Sequence, residues 1–325
     1  MGRSRACAAL LVTLLSVVAA GAEAEAAVSL TPAVLDSFEA HKTTVTLANG
    51  QLLAYMDIGP RDAPPVVLIH GYTDSARDWA TLAPVLAAAR FRLIIVDLRG
   101  HGASAKPECC YSRFDFAYDV KLLLANLKVD SANIVGHSLG SVVAQTFAEL
   151  WPGTTRRLVL VSSTGTSFGM DESSGNGGGR GLAPQVPQQP QVPGWLAGVA
   201  RLKDPIDPES PFMREWWKES MRINPEFFSS RQRRDAAAIP AHVWRDIADQ
   251  TLLGDDLRRM LPRIRAPTLL IWGGRDTVMS EAGRAALRAG IKGNEVRIFP
   301  SLGHDLFWED PRAVGSVMIT FLEKN

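Results

Sequence analysis

Ala132-Asn133-Ile134-Val135-Gly136-His137-Ser138-Leu139-Gly140-Ser141-Val142-Val143-Ala144-Gln145-Thr146-Phe147-Ala148-Glu149-Leu150 decides how this chain folds. Its first four residues are a short apolar run that reads as a buried strand. The stretch from Ser141 is a good helix sequence, and it stops at Trp151-Pro152-Gly153. Between them lies G-x-S-x-G, the pattern of a strand turning sharply into a helix around an exposed serine. The glycines fit a turn too tight for side chains. The helix N-terminus puts positive dipole beside the Ser138 hydroxyl, where it favours developing negative charge. The pattern alone arises by chance, and the strand and helix around it are what give it meaning.

Working outward, apolar strands and helices alternate. Thr43–Leu47 and Leu52–Asp57 flank the hairpin signal Asn49-Gly50. Pro65–His70, Arg92–Asp97, Arg157–Val161, Thr268–Trp272 and Glu295–Phe299 read as further strands. Helices are expected over about 79–89, 116–127, 281–289 and 311–323. Buried strands alternating with helices predict a mostly parallel sheet covered on both faces. The pattern breaks from about Ser167. Residues 171–194 are rich in Gly, Ser, Gln and Pro and cannot form a packed core. Then 195–261 reads as helices carrying Trp195, Trp216, Trp217, Phe227, Phe228 and Trp244. The division is therefore 43–166 for the first part of an α/β core, 167–261 for a flexible insert plus helical cap, and 262–325 for the second part. Trp216 and Trp217 would point about 100° apart on a helix, so only one is expected to face a cleft.

The 325 residues, with a formal net charge of +1, suffice for a large core and argue against a nucleic-acid binder. Arg3 and Arg5 precede an apolar run over 6–20, followed by small residues around Ala20-Gly21-Ala22. This describes a signal peptide over about 1–24, with an uncleaved anchor as the alternative. The mature chain is expected to be exported, with no stable membrane span. Adjacent Cys109 and Cys110 have no metal spacing; two free thiols are favoured slightly over a vicinal disulfide.

A serine hydroxyl needs a base, and the base needs an orienting acid. In elbow enzymes they follow in the order serine, acid, histidine. His304, in Leu302-Gly303-His304, is the one histidine after Asp276, and Asp276 stands just beyond the strand ending at Trp272. Asp305, Asp255 and Asp256 compete less well for the acid: Asp305 adjoins His304, and the other two suit solvent or a helix cap. The stretch Ser162–Thr166 offers no carboxylate. The oxyanion donors are expected to be the amides of Leu139 and Tyr72, the latter in His70-Gly71-Tyr72-Thr73-Asp74 with its side chain free to line the pocket. His70 and His101 read as loop-shaping residues and His137 as packing beside the turn.

Residues 65–72, Asp97-Leu98-Arg99-Gly100-His101-Gly102-Ala103-Ser104, the elbow, Asp276 and Gly303-His304 resemble the α/β-hydrolase superfamily, in its fold-1 branch, over about 43–323. The resemblance implies an eight-stranded sheet with a helical lid after the sixth strand. The function expected is hydrolysis of a small-molecule ester or lactone with no cofactor or metal, and cap aromatics lining the cleft would suit an apolar moiety. Cofactor-free perhydrolases (haloperoxidases) and carbon–carbon bond hydrolases in the same superfamily use the same serine triad. An acyl transferase or a non-turnover binding protein on this scaffold are the readings of other kinds.

Overall fold

The computed structural model describes residues 37–168, 194–217, 225–254 and 256–324, with side-chain surroundings left out for 225–229. The N-terminal segment, most of the Gly/Pro/Gln-rich stretch, Phe227 and Phe228 as side chains, and Asp255 lie outside that description. Among the described residues, no helix is long and apolar enough to cross a membrane.

Eight strands form one sheet: β1 (Thr43–Thr46), β2 (Leu52–Ile58), β3 (Pro65–Ile69), β4 (Arg92–Asp97), β5 (Ala132–His137), β6 (Thr155–Val161), β7 (Thr268–Gly273) and β8 (Glu295–Phe299). Their order is β1-β2-β4-β3-β5-β6-β7-β8. β1 and β2 pair antiparallel, β2 pairs antiparallel with β4, and every later pair is parallel. The eight strands follow the sequence reading closely. The central strands are buried along nearly their whole length, as a sheet covered on both faces requires. The edges are protected differently. β1 is only four residues long, and β8 carries Glu295 and Arg297 on an exposed face, which discourages pairing with another chain.

The helices are α1 (Ala83–Ala88), α2 (Arg113–Asn126), α3 (Leu139–Leu150), α4 (Gly194–Arg201), α5 (Pro211–Trp216), α6 (Pro225–Ala237), α7 (Ala241–Ile247), α8 (Glu281–Gly290), α9 (Leu306–Glu309) and α10 (Pro311–Leu322). Thus α4 to α7 lie between β6 and β7 in the chain. Local chemistry sets several boundaries. Ser112 and Asp115 form a reciprocal capping box on α2, and the Ser280 hydroxyl accepts from the Gly283 amide at the start of α8. Asp256 caps a 3-10 turn through the Arg258 amide, the capping role expected of it.

Polar ties at the carboxyl ends of the strands fix the loops there. Asp97, at the end of β4, accepts from the amides of Ala76 and Ala103 at 2.7 and 2.8 Å and pairs with Lys42 at 2.9 Å. His70 Nε2 accepts from the Leu98 amide at 3.0 Å, so its Nδ1 donates to the Gly71 carbonyl at 2.8 Å. Its burial lowers its pKa, consistent with this neutral, two-ended bridge. His101 Nδ1 likewise bonds to the Arg99 carbonyl. Both histidines shape loops, as the sequence suggests.

Cys109 and Cys110 are joined in a disulfide, against the slight preference for free thiols. Cys110 holds a positive φ of 75°, and its carbonyl accepts from Arg99 Nη1 at 2.8 Å. This backbone conformation is built into the loop that leads to α2, which sequence spacing does not report.

Candidate active site

Ser138 sits between β5 and α3 with φ 51° and ψ −119°, a conformation that costs a serine roughly 1–3 kcal/mol and persists only where the surroundings enforce it. The surroundings do so sterically. A Cβ on Gly136 would run into the Gly140 carbonyl, and one on Gly140 would run into the carbonyls of Ile69 and His70. Helix α3 therefore approaches β3 at backbone distance because position 140 is glycine, and β5 turns tightly into it because position 136 is glycine. The Ser138 amide donates to the Val161 carbonyl at 3.0 Å, and Ser141 Oγ returns to the Ser138 carbonyl at 2.5 Å.

Beyond β7, Asp276 Oδ1 receives three hydrogen bonds: the Val278 and Met279 amides at 2.8 and 3.2 Å, and His304 Nδ1 at 3.1 Å. Burial alone would raise this carboxyl. The charge and hydrogen bond of His304, followed by the two amides, outweigh it and lower the pKa to about 2. Asp276 is therefore an anion that fixes one ring nitrogen of His304. The other Asp276 oxygen, Oδ2, lacks a hydrogen bond and lies 3.8 Å from Arg284, whose guanidinium also donates to the Asp276 carbonyl.

Ser138 and His304 line one cavity of about 700 Å³, together with Tyr72 and His137. Leu139 follows Ser138 as the first residue of α3 and is fully buried. Neither its amide nor that of Tyr72 has an acceptor among the described residues. The five expected residues thus come together around one cavity: two line it with the serine, one orients the histidine, and one supplies the amide next to the serine. His304 Nδ1 is held by Asp276, while Asp305 Oδ1 lies 3.6 Å from His137 Nε2.

Two supporting residues have roles that the sequence did not reveal. His137 Nδ1 is 3.1 Å from Asp78 Oδ2, and its Nε2 is 3.2 Å from the His304 carbonyl. Ser162, with φ 46°, donates to the same carbonyl at 2.6 Å. The backbone of His304 is therefore held by β5 on one side and by the end of β6 on the other. Asp74, Asp78 and His137 bring donor atoms within 4.8 Å of one another, spacing that a metal ion would tolerate. Here His137 bonds Asp78 directly and Trp308 Nε1 occupies the other Asp78 oxygen at 3.2 Å, so the group reads as a hydrogen-bonded cluster.

The helical insertion closes over the loop after β3 through side chains. Tyr72 Oη donates to the Trp244 carbonyl at 2.5 Å, Trp216 Nε1 to Thr73 Oγ1 at 3.1 Å, and Gln232 Nε2 to Asp74 Oδ1 at 2.7 Å. Arg77 pairs with Asp235. So the Tyr72 side chain lines the cavity as expected, yet it is tied by its hydroxyl and packed edge-on against Trp216 and Trp244. Trp216 and Trp217 both line the cavity, against the expectation that only one would. Helix α5 ends at Trp216, and Trp217 (φ −104°, ψ 24°) has left helical geometry, so the 100° separation no longer applies.

A strained serine between two obligatory glycines, with histidine and buried carboxylate arriving from later strands of one sheet, is the elbow architecture. The family model described as "alpha/beta hydrolase fold" matches residues 64–311. The chain belongs to this family. The family is one of hydrolases acting on small molecules. Among curated proteins, a 2-hydroxy-6-oxononadienedioate/2-hydroxy-6-oxononatrienedioate hydrolase of Pseudomonas putida is 28% identical over 281 residues, 83% of this chain and 91% of that one. A non-heme chloroperoxidase of Streptomyces lividans is 28% identical over 300 residues, 86% and 99% of the two chains. Among solved structures, a hydrolase from Pseudomonas aeruginosa is 26% identical with a TM-score of 0.72, covering 87% of this chain and 98% of that one.

Proposed function

We propose that this chain is an exported serine hydrolase that cleaves an uncharged carboxylic ester or lactone with an apolar moiety. The observation that carries this reading is the His304–Asp276 hydrogen bond, with His304 and Ser138 lining the same cavity. Ser138 Oγ attacks the substrate carbonyl as His304 takes its proton, and Asp276 stabilises the imidazolium. The amides of Tyr72 and Leu139 hold the oxyanion, each such donor being worth roughly 3 kcal/mol in the transition state. His304 then passes its proton to the leaving alkoxide. A water deprotonated by the same histidine attacks the acyl-serine, and the proton returns to Ser138 as the acid departs.

The cavity chemistry supports an uncharged, partly apolar substrate. Aromatic walls come from Tyr72, Trp195, Phe212, Trp216 and Trp217, with Leu252 and Met279 adding aliphatic surface. Asp74, Glu215 and Asp305 also line it, and no lysine or arginine does among the described residues. A dicarboxylate of the kind named for the Pseudomonas putida relative would meet carboxylates here without a cationic partner, which favours ester over carbon–carbon bond chemistry. Export rests on the charged and apolar pattern at residues 3–20.

Labelling with a fluorophosphonate probe tests the nucleophile. Wild type labels and Ser138→Ala does not; equal labelling of both would sink the reading. A panel of neutral esters and lactones, run beside peroxide-dependent halogenation and a dienedioate substrate, separates the chemistries. Repeated turnover excludes a binding protein. Mass spectrometry of exported protein is expected to find an N-terminus near residues 22–28, and an intact Met1 there would refute signal cleavage.

A further inference from the structure

One buried group in the cavity takes no part in the chemistry above. Asp74 lies two residues after Tyr72, is 5% exposed, and lines the cavity shared by Ser138 and His304. Its two oxygens differ. Oδ1 accepts from Gln232 Nε2 at 2.7 Å, whereas Oδ2 has no hydrogen-bond partner among the described residues. The loop turns back on itself here, the Asp74 amide meeting the Gly71 carbonyl at 3.4 Å. A Cβ placed on Gly71 would sit 2.8 Å from Asp74 Oδ2, 3.2 Å from His137 Nδ1 and 3.4 Å from Ser138 Cβ. The side-chain-free face of Gly71 thus lies between the open oxygen of Asp74 and Ser138 Cβ.

The groups around Asp74 determine its proton. Asp78 faces it from the turn after β3, His137 from the end of β5, and His304 with Asp305 from the loop after β8. Asp235 and Gln232 face it from α6, while the Arg77 guanidinium is turned to Glu39 and Asp235. Burial first, then Asp78, Asp305 and Asp235, raise the Asp74 pKa well above the ordinary carboxylate range; the Gln232 hydrogen bond opposes them. Because Gln232 donates to Oδ1, the acid proton belongs on Oδ2, the oxygen beside the open face of Gly71.

We propose that Asp74 is a neutral carboxylic acid that donates a hydrogen bond from Oδ2 to an oxygen of the bound substrate, beside the amides of Tyr72 and Leu139. It selects substrates with an uncharged acceptor at that point, since a substrate carboxylate would meet Glu215 and Asp305 in the same cavity. The inference rests on the serine-hydrolase reading and gives that site a third, side-chain donor. A buried acid kept neutral so that it can donate is an established device for stabilising an oxyanion.

The test uses the pH profile of kcat/KM for p-nitrophenyl butanoate, in wild type, Asp74→Leu and Asp74→Asn. Asp74→Leu keeps the shape but has no donor, and it is expected to lose about 10²-fold in kcat/KM. In wild type, kcat/KM falls at alkaline pH as Asp74 ionises beside the developing oxyanion. Asp74→Asn keeps an N–H donor and cannot ionise, so it retains most of the rate and lacks that alkaline fall, which a purely structural role would not explain. Wild-type activity in Asp74→Leu, or an unchanged alkaline fall in Asp74→Asn, overturns the proposal. If Asp74→Leu shows no cooperative melt, the Asp74→Asn profile decides. Fluorophosphonate labelling of wild type keeps the two readings apart. Absent labelling defeats the serine hydrolase itself, whereas labelling with unaltered Asp74 variants defeats this inference alone.

Discussion

Around Ser138 the backbone sets the geometry. Gly136 and Gly140 leave no room for side chains, the serine is forced to a positive φ, and the Leu139 amide is fixed at a helix end. Across the cavity, between residues 194 and 254, position is set by side chains. Trp216 reaches Thr73, Gln232 reaches Asp74, and Tyr72 reaches back to the Trp244 carbonyl. The first region is over-determined and suits bond breaking, which tolerates little displacement. The second is a set of separate contacts, each replaceable without unmaking the sheet, and suits substrate choice. On this contrast, changes near the elbow should act on kcat and changes across the cavity on KM.

The sharpest trial is Ser138→Ala, expected to lower kcat about 10⁶-fold with an unchanged melting temperature, as removal of a nucleophile does elsewhere. Activity near wild type would break the contrast at its root. Asp276→Asn comes next. It keeps the volume but sets His304 in the wrong tautomer, and should cost about 10⁴ in kcat with KM little changed. Gly140→Ala attacks the backbone itself. The added carbon has only the Ile69 and His70 carbonyls to meet, so destabilisation of about 3 kcal/mol in urea unfolding is expected.

Asp276 also predicts a pH effect on stability. Its folded pKa, about 2, lies below the ordinary value of 3.8, so the anion stabilises the fold fully above pH 3.8. That contribution, about 2 kcal/mol, is lost as pH falls through 2. Asp276→Asn should lack this part of the acid limb in melts taken from pH 5 downward, and an identical limb would refute it. The smallest effect belongs to the far wall. Tyr72→Phe removes the hydrogen bond to the Trp244 carbonyl and should cost about 1 kcal/mol of stability, with KM rising more than kcat falls. A loss confined to kcat would show that the helical insertion acts on the chemistry directly.

The same contrast explains what the sequence disclosed. Strand runs such as Pro65–Ile69 and Thr268–Gly273 announce themselves because both faces are buried, and Gly136 and Gly140 because a backbone needs them. His304 and Asp276 follow from chain order on such a sheet. The grip of His137 and Ser162 on the His304 carbonyl was not legible, since it joins residues 167 and 142 positions apart. Nor was the turning of Trp217 into the cavity, which depends on where α5 ends, or the Cys109–Cys110 bridge, which depends on the conformation of one loop. Asp74, in the loop after β3, carries no mark in the sequence. Its interest comes from Gln232, Asp78, Asp235 and Asp305, and only folding gathers these around it.

The loop from Tyr72 to Arg77 reaches the cavity that Ser138 lines and also supplies four side chains that grip the helical insertion: Tyr72, Thr73, Asp74 and Arg77. The insertion is therefore not a detachable module. A chimera that exchanges residues 194–254 for those of a relative would keep the sheet and the serine while leaving these four partners mismatched. Transplanting specificity within this family means replacing six residues of the recipient's core loop, along with its helices, by those of the donor.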